Sequence, residues 1–126
     1  GIRDVNWPEG GVGDGIQLMP QDIAKLGYLY LRQGTWENEK LIASDTICAS
    51  TNKQIQGGFP ENDGFGYLWW VSKVGEYRVF YARGFGGQYM FVVPELDIVV
   101  VVTSRMDRPH LENKALVRDW LLSIGL

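Results

Sequence analysis

A serine followed three residues later by a lysine can act as a nucleophile with its base one helical turn away. Ser50-Thr51-Asn52-Lys53 has that spacing. Two fixed positions in four residues recur easily by chance, and a serine of this type should start a buried central helix. Ser50 falls instead near the polar end of a short helical stretch, so it reads as a solvated helix end. A Ser-His-Asp triad would need His110, the one histidine of the chain. Pro109 and His110 read as helix-start residues, where a lone histidine is usually structural or solvated. Cys48, the one cysteine, lies between Ile47 and Ala49 and reads as a small buried hydrophobe. None of these side chains makes a convincing nucleophile.

The glycines say more. There are 16 in 126 residues, well above the usual share of about 7%. They gather in three places, Gly10 to Gly15, Gly57 to Gly66 and Gly84 to Gly87. Glycine is costly inside strands, yet Gly84, Gly86 and Gly87 fall between two β-prone runs in YARGFGGQYMFVVPELDIVVVV. A hairpin bend explains such a knot, and so does a backbone shaped for close approach of a substrate. The first group, GGVGDG, lacks the lysine of a phosphate loop and follows no clear strand, so it is a very weak phosphate site. Tyr67, Trp69, Trp70, Tyr77 and Phe80 could form a stacking surface, although such residues are more often core and cross-strand pairs. Adjacent strand residues point to opposite faces, so only one of Trp69 and Trp70 can line a given surface. A non-catalytic binding module, with an aromatic and glycine-rich groove for carbohydrate or peptide, is therefore an alternative reading.

Composition narrows the classes. With 45% apolar and 21% charged residues the chain is globular and long enough for one core. A net charge of −3, with no basic run beyond two residues, gives no reason to expect nucleic acid or an anionic membrane as partner. A single cysteine cannot form an internal disulfide, and the chain lacks the ligands of a zinc site. No metal or cofactor is expected. No run reaches the roughly 18 apolar residues of a membrane helix.

The elements that must position any site are well punctuated. Residues 1–19 read as a loop-rich entry, 20–55 as helices, 66–104 as antiparallel strands and 110–125 as a last helix, all in a single domain. PQDIAKLGYLYLRQG carries Pro20 at a helix start, Asp22 in the first turn and Gly34 at the stop. Its buried face should be Ile23, Leu26, Gly27, Tyr30 and Leu31, with Gly27 permitting close packing. TWENEKLIAS reads as a connector, SDTICASTNK as a short helix capped by Ser44, and QIQGGFPENDG as loop. Four strands follow from Gly66, joined by connections short enough to require antiparallel hairpins. The non-alternating Ile98 to Val102 should be covered on both faces. Leu111, Ala115, Val117, Leu121, Leu122 and Ile124 suggest an amphipathic to mostly buried final helix. The fold class expected is α+β: an antiparallel meander of about four strands with helices packed on it.

An ordered set of landmarks runs along this frame. Pro20-Gln21-Asp22-Ile23-Ala24, Gly34-Thr35-Trp36, Gly66-Tyr67-Leu68-Trp69-Trp70, Gly87-Gln88-Tyr89, Pro94 and the valine strand occur in sequence. Together they resemble the C-terminal part of the β-lactamase-related serine hydrolases: class C-like β-lactamases, DD-peptidases and esterases of the penicillin-recognising fold. The resemblance implies an acyl-enzyme mechanism with three elements. These are a Ser-x-x-Lys nucleophile and base, a Tyr or Ser motif on a helical subdomain, and a Lys/His-x-Gly strand whose following N–H helps form the oxyanion hole.

Only the third element has a counterpart here. One register sets Ala82-Arg83-Gly84 on it, with the Phe85 N–H as donor and Gly86 and Gly87 shaping the bend. A slipped register uses Phe85-Gly86-Gly87 with the N–H of Gln88. Either way alanine or phenylalanine replaces Lys or His, which favours ester or amide hydrolysis over penicillin. The site expected from the resemblance is thus Phe85 and Gly84 for catalysis, with Ala82, Arg83, Gly86, Gly87 and Gln88 against the substrate. Ser50 lies where the family's nucleophile does not. The chain starts at Gly1 without an initiator methionine, and the other two elements are expected upstream, leaving this chain inactive alone. The expected partner is a small amide or ester substrate, and an exposed sheet edge or apolar face would invite homodimerisation. The resemblance also suggests a periplasmic or secreted setting.

Overall fold

The computed structural model describes residues 1–8, 15–105, 107 and 110–124, and of His110 the backbone alone. The His110 side chain, Pro109 and most of the Gly10 to Gly15 stretch lie outside the described residues. In the entry segment, Asn6 and Gln17 form an isolated antiparallel bridge.

Proline needs no N–H partner in the first helical turn, and helix α1 (Pro20–Leu31) starts on Pro20 as expected, with Asp22 in its first turn. It ends through a backbone reversal in which the Gly34 N–H donates to Leu29 O at 2.8 Å. Gly34 has φ +86°, and a Cβ there would lie 2.0 Å from the Ile42 carbonyl oxygen, so no other residue fits. The stretch read as a connector holds a small hairpin, β1 (Thr35–Trp36) and β2 (Glu39–Lys40). Helix α2 (Ser44–Thr51) follows. Ser44 is its first helical residue and not its cap, because its Oγ accepts a hydrogen bond from Lys40 Nζ at 2.9 Å.

The main sheet is an antiparallel meander of six strands, two more than expected. Its strands are β3 (Ile55–Gln56), β4 (Gly64–Phe65), β5 (Trp70–Val74), β6 (Tyr77–Gly84), β7 (Gln88–Val93) and β8 (Ile98–Val102), in that spatial order. The additional strands are two residues each, too short to show a period of two. Strand β5 also starts later than Gly66. Leu68 takes a left-handed φ of +67°, and the Gly66 N–H closes a tight turn on Trp69 O at 2.7 Å. Pairing cannot begin until the chain leaves that turn.

Each face of the sheet carries one helix. Phe80, Met90 and Val92 pack with Trp69 against Ile23, Tyr30 and Leu31 of α1. Val79, Tyr81, Tyr89, Phe91 and Val93 pack against Val117 and Leu121 of α3 (His110–Ile124). Trp69 and Trp70 do fall in opposite clusters. The β8 residues divide likewise, Val99 and Val101 toward α1 and Ile98, Val100 and Val102 toward α3, though each is half-buried at the edge of the sheet. Helix α3 is less buried than its composition suggested. Val117 and Leu121 are buried, while Leu111, Leu122 and Ile124 are about half-exposed, because a helix on one sheet face buries one stripe.

At Gly27, α1 lies close against the sheet. A Cβ there would meet Val99 Cγ1 at 2.7 Å and Met90 Sδ at 3.0 Å. Gly27→Leu should therefore lower stability by about 1–3 kcal/mol through overpacking. The urea midpoint should fall with an unchanged slope; a midpoint equal to the parent's would mean α1 is not seated there.

Candidate active site

Strands β5 and β6 pair from Val74↔Tyr77 to Trp70↔Tyr81 and no further. On its other side β6 continues, with Ala82↔Met90, Arg83↔Tyr89 and Gly84↔Gln88. Ala82, Arg83 and Gly84 are thus paired on one side only, beyond the end of β5. Antiparallel neighbours turn their N–H and C=O groups alternately to either side, so at least one of the three faces the open edge. The cause is local: the 66–69 turn carries the chain away before it can cover this part of β6.

The strand then bends through Phe85-Gly86-Gly87 into β7. Gly86 and Gly87 both have φ +79°, which a side chain would strain, so the hairpin alone accounts for them. Gly84 differs. Its φ is not left-handed, and a Cβ would meet Gln88 Cβ at 3.3 Å and Gln88 O at 3.8 Å, a tight contact for which Gln88 would have to give by a few tenths of an ångström. Backbone conformation therefore does not demand glycine there. The Phe85 side chain is 66% exposed, and its carbonyl accepts from Gln88 Nε2 at 3.2 Å. Among the described residues, no turn or loop backbone hydrogen bond uses the Phe85 N–H.

A groove of about 410 Å³ runs between the Gly15–Leu18 segment, α1 and this end of the sheet. Ala82, Arg83, Gly84, Phe85 and Gln88 line it, together with apolar Ile16, Leu18, Ile23, Leu26 and Met90. Leu26, expected in the core, is partly exposed on this groove. Gly86 and Gly87 are buried within the turn. Five of the seven expected site residues therefore share one surface, and two shape it from inside.

Arg83 leads to a cluster that the sequence reading missed. Its Nε lies 3.1 Å from Oε1 of Glu61, whose side chain is fully buried. Tyr89 donates to the same oxygen at 2.9 Å. Lys114 of α3 donates to Glu61 Oε2 at 2.6 Å, to Asp63 Oδ2 at 2.8 Å and to the Tyr81 hydroxyl oxygen at 2.9 Å. The Tyr81 hydroxyl in turn lies 2.6 Å from Asp63 and 2.9 Å from Glu61. Two carboxylates thus meet two cations, and the charges cancel. A hint existed: Tyr81, Arg83 and Tyr89 share one sheet face, and buried hydroxyls need partners. The carboxylates themselves sat unnoticed in a loop.

Burial alone would raise the Glu61 pKa, but hydrogen bonds from Lys114, Tyr81 and Tyr89 outweigh it and leave the group below its ordinary value. Burial and the neighbouring carboxylates push both tyrosines up, Tyr81 the further. A depressed carboxylate stabilises the fold above its unfolded pKa, near 4.3, and loses that contribution as pH falls through the folded value. The raised tyrosines contribute below about pH 10 and lose their contribution above it. We expect the stability gap between the parent and Glu61→Gln to narrow from pH 7 to pH 3 in urea titrations. Parallel curves would contradict the assignment.

The side chains first weighed as nucleophiles stay apart from this region's chemistry. Ser50 is buried and not solvated, and its Oγ donates to Ile47 O at 3.1 Å, while Lys53 Nζ turns to Gln56 Oε1 at 2.8 Å. Cys48 is exposed, contrary to expectation. On the short α2 the inward arc is taken by Ile47, Ser50 and Thr51, and Cys48 falls about 60° outside it. Trp69 is only 7% exposed and packs edge-on against Phe80 at 5.2 Å, and Trp70 packs near Phe65 and Tyr81. The buried Trp69 ring offers no open stacking face of the kind a carbohydrate-binding groove would use.

Comparison with known proteins bears on the family. The family model described as Beta-lactamase matches residues 2–122. An uncharacterised protein of Alkalihalophilus pseudofirmus is 28% identical over 116 residues, covering 78% of this chain and 34% of that protein. The chain thus spans about a third of the length of this curated relative. With nearly its whole length matched, the chain belongs to the beta-lactamase family, and so to the beta-lactamase-related serine hydrolases.

Proposed function

We propose that this chain is the C-terminal portion of a serine hydrolase that works through an acyl-enzyme, with the nucleophilic serine and its lysine upstream of Gly1. The observation that carries this reading is the open edge of β6 at Ala82–Gly84, followed by the Phe85 N–H. In the reaction, the serine oxygen attacks the substrate carbonyl carbon as the lysine takes its proton. The carbonyl oxygen becomes an oxyanion, and the Phe85 N–H donates to it. Collapse of the tetrahedral species expels the alcohol or amine, which regains a proton, and water then hydrolyses the acyl-serine. A single oxyanion donor contributes about 10²–10³ in kcat.

The register with Phe85 as donor is favoured over the one with Gln88. Gln88 lies within β7, paired to Gly84, whereas Phe85 stands at the end of the open edge. The groove also argues for substrate class. Ala82 brings no charge, the cation beside it is ion-paired with Glu61, and much of the remaining wall is apolar. A neutral ester or amide fits such a wall better than a substrate recognised by its carboxylate.

Supplying the upstream region, as one longer chain or as a separate piece, should bring hydrolysis of a neutral p-nitrophenyl ester. Robust turnover by the 126-residue chain alone would refute the reading.

A further inference from the structure

Gly86 and Gly87 have more backbone freedom to lose than any other residue type, and both must be held at φ +79°. Within the hairpin, a side-chain bond from Gln88 Nε2 to Phe85 O braces the turn. The second brace comes from 26 residues away. Asn113 Nδ2, near the start of α3, donates to the Gly87 carbonyl at 2.7 Å. Gly87 is buried, so that carbonyl needs a protein partner, and Asn113 supplies it. The brace is itself anchored. Lys114, the next residue, enters the Glu61 and Asp63 cluster, and Val117 one turn on is buried in the core.

We propose that Asn113 is a positioning residue for hydrolysis, its amide holding the Phe85–Gly87 turn in the conformation that aims the Phe85 N–H at the substrate. This rests on the reading of that turn as the oxyanion side. A misplacement of about 1 Å at a reacting centre can cost on the order of 100-fold, so a brace on the turn matters although it touches no substrate. The Glu61 cluster acts behind it by fixing the end of α3 from which Asn113 reaches.

The test uses Asn113→Ala, Asn113→Asp, which keeps the size but loses the donor, and Asn113→Gln, which keeps the donor. In the 126-residue chain, the Ala and Asp variants should speed amide hydrogen exchange at the buried Gly86 and Gly87 and at Gln88 by about tenfold or more, with Val79 and Phe91 unchanged. In the longer hydrolase, both should lower kcat by about 10- to 100-fold at unchanged KM, with partial recovery in Asn113→Gln. Unchanged exchange at the turn overturns the proposal. So does a uniform rise across the sheet, which would mark Asn113 as a helix-docking contact, or a raised KM at constant kcat. If the longer protein hydrolyses nothing while exchange at the turn responds as stated, the oxyanion reading fails and the brace itself stands.

Discussion

Glu61→Ala should destabilise the chain by about 3–5 kcal/mol, the cost of leaving buried charges without their partner. Lys114, Arg83 and the Tyr81 and Tyr89 hydroxyls all turn toward this one carboxylate. Its removal leaves two cations against a single remaining anion, Asp63, which is itself only partly buried. A domain's whole stability is typically about 5–15 kcal/mol, so this loss would be a large share of it. Urea unfolding at pH 7 reads it directly. Glu61→Gln should cost less, because it keeps an acceptor for Lys114. A loss below about 1 kcal/mol for the alanine variant would mean that the cluster behaves as a screened surface network.

The second large effect separates function from fold. Gly84→Val should lower kcat/KM of the longer hydrolase by about 100-fold or more, comparable to losing an oxyanion donor. Its side chain would stand in the groove where the acyl group must approach the strand. Stability should change by about 1 kcal/mol or less, since a Cβ meets only Gln88 and the backbone is not left-handed. Gly86→Val is the contrasting control: at φ +79° a β-branched residue is strained, so stability should fall along with activity. Equal activity in Gly84→Val and the parent would remove Gly84 from the site.

Local chemistry was legible where one residue type has one physical use. Pro20 marked a helix start, Gly27 a close approach, and the adjacent Trp69 and Trp70 opposite faces of a sheet. The meander followed from connections too short for anything but hairpins. Ala82 to Gln88 lie together in the chain, so a single bend is enough to set five of them along one groove.

What escaped notice depends on contacts far apart in sequence. Glu61 reaches Tyr81, Tyr89 and Lys114 across 20, 28 and 53 residues, and its own neighbourhood looks like polar loop. Leu68 in a left-handed conformation could not be foreseen either, since leucine avoids it. The turn around it is fixed at its neighbours: Tyr67 N–H donates to Ser50 O, Gly66 N–H to Trp69 O, and Gly66 is wedged so tightly that a Cβ would lie 2.1 Å from Ser50 O. That same wedge delays the start of β5 to Trp70 and leaves the edge of β6 open beyond Tyr81. The open edge is thus a consequence of a packing constraint, and composition gives no sign of it.

The central claim is that this chain forms one wall of a hydrolase site without supplying the nucleophile. Intact-mass spectrometry after incubation with a fluorophosphonate tests it most directly, on the 126-residue chain and on the longer protein in parallel. The chain should keep an unmodified mass, and the longer protein should gain a single stoichiometric adduct on a serine upstream of Gly1. A stoichiometric adduct on the chain itself, mapped to Ser50, would contradict it.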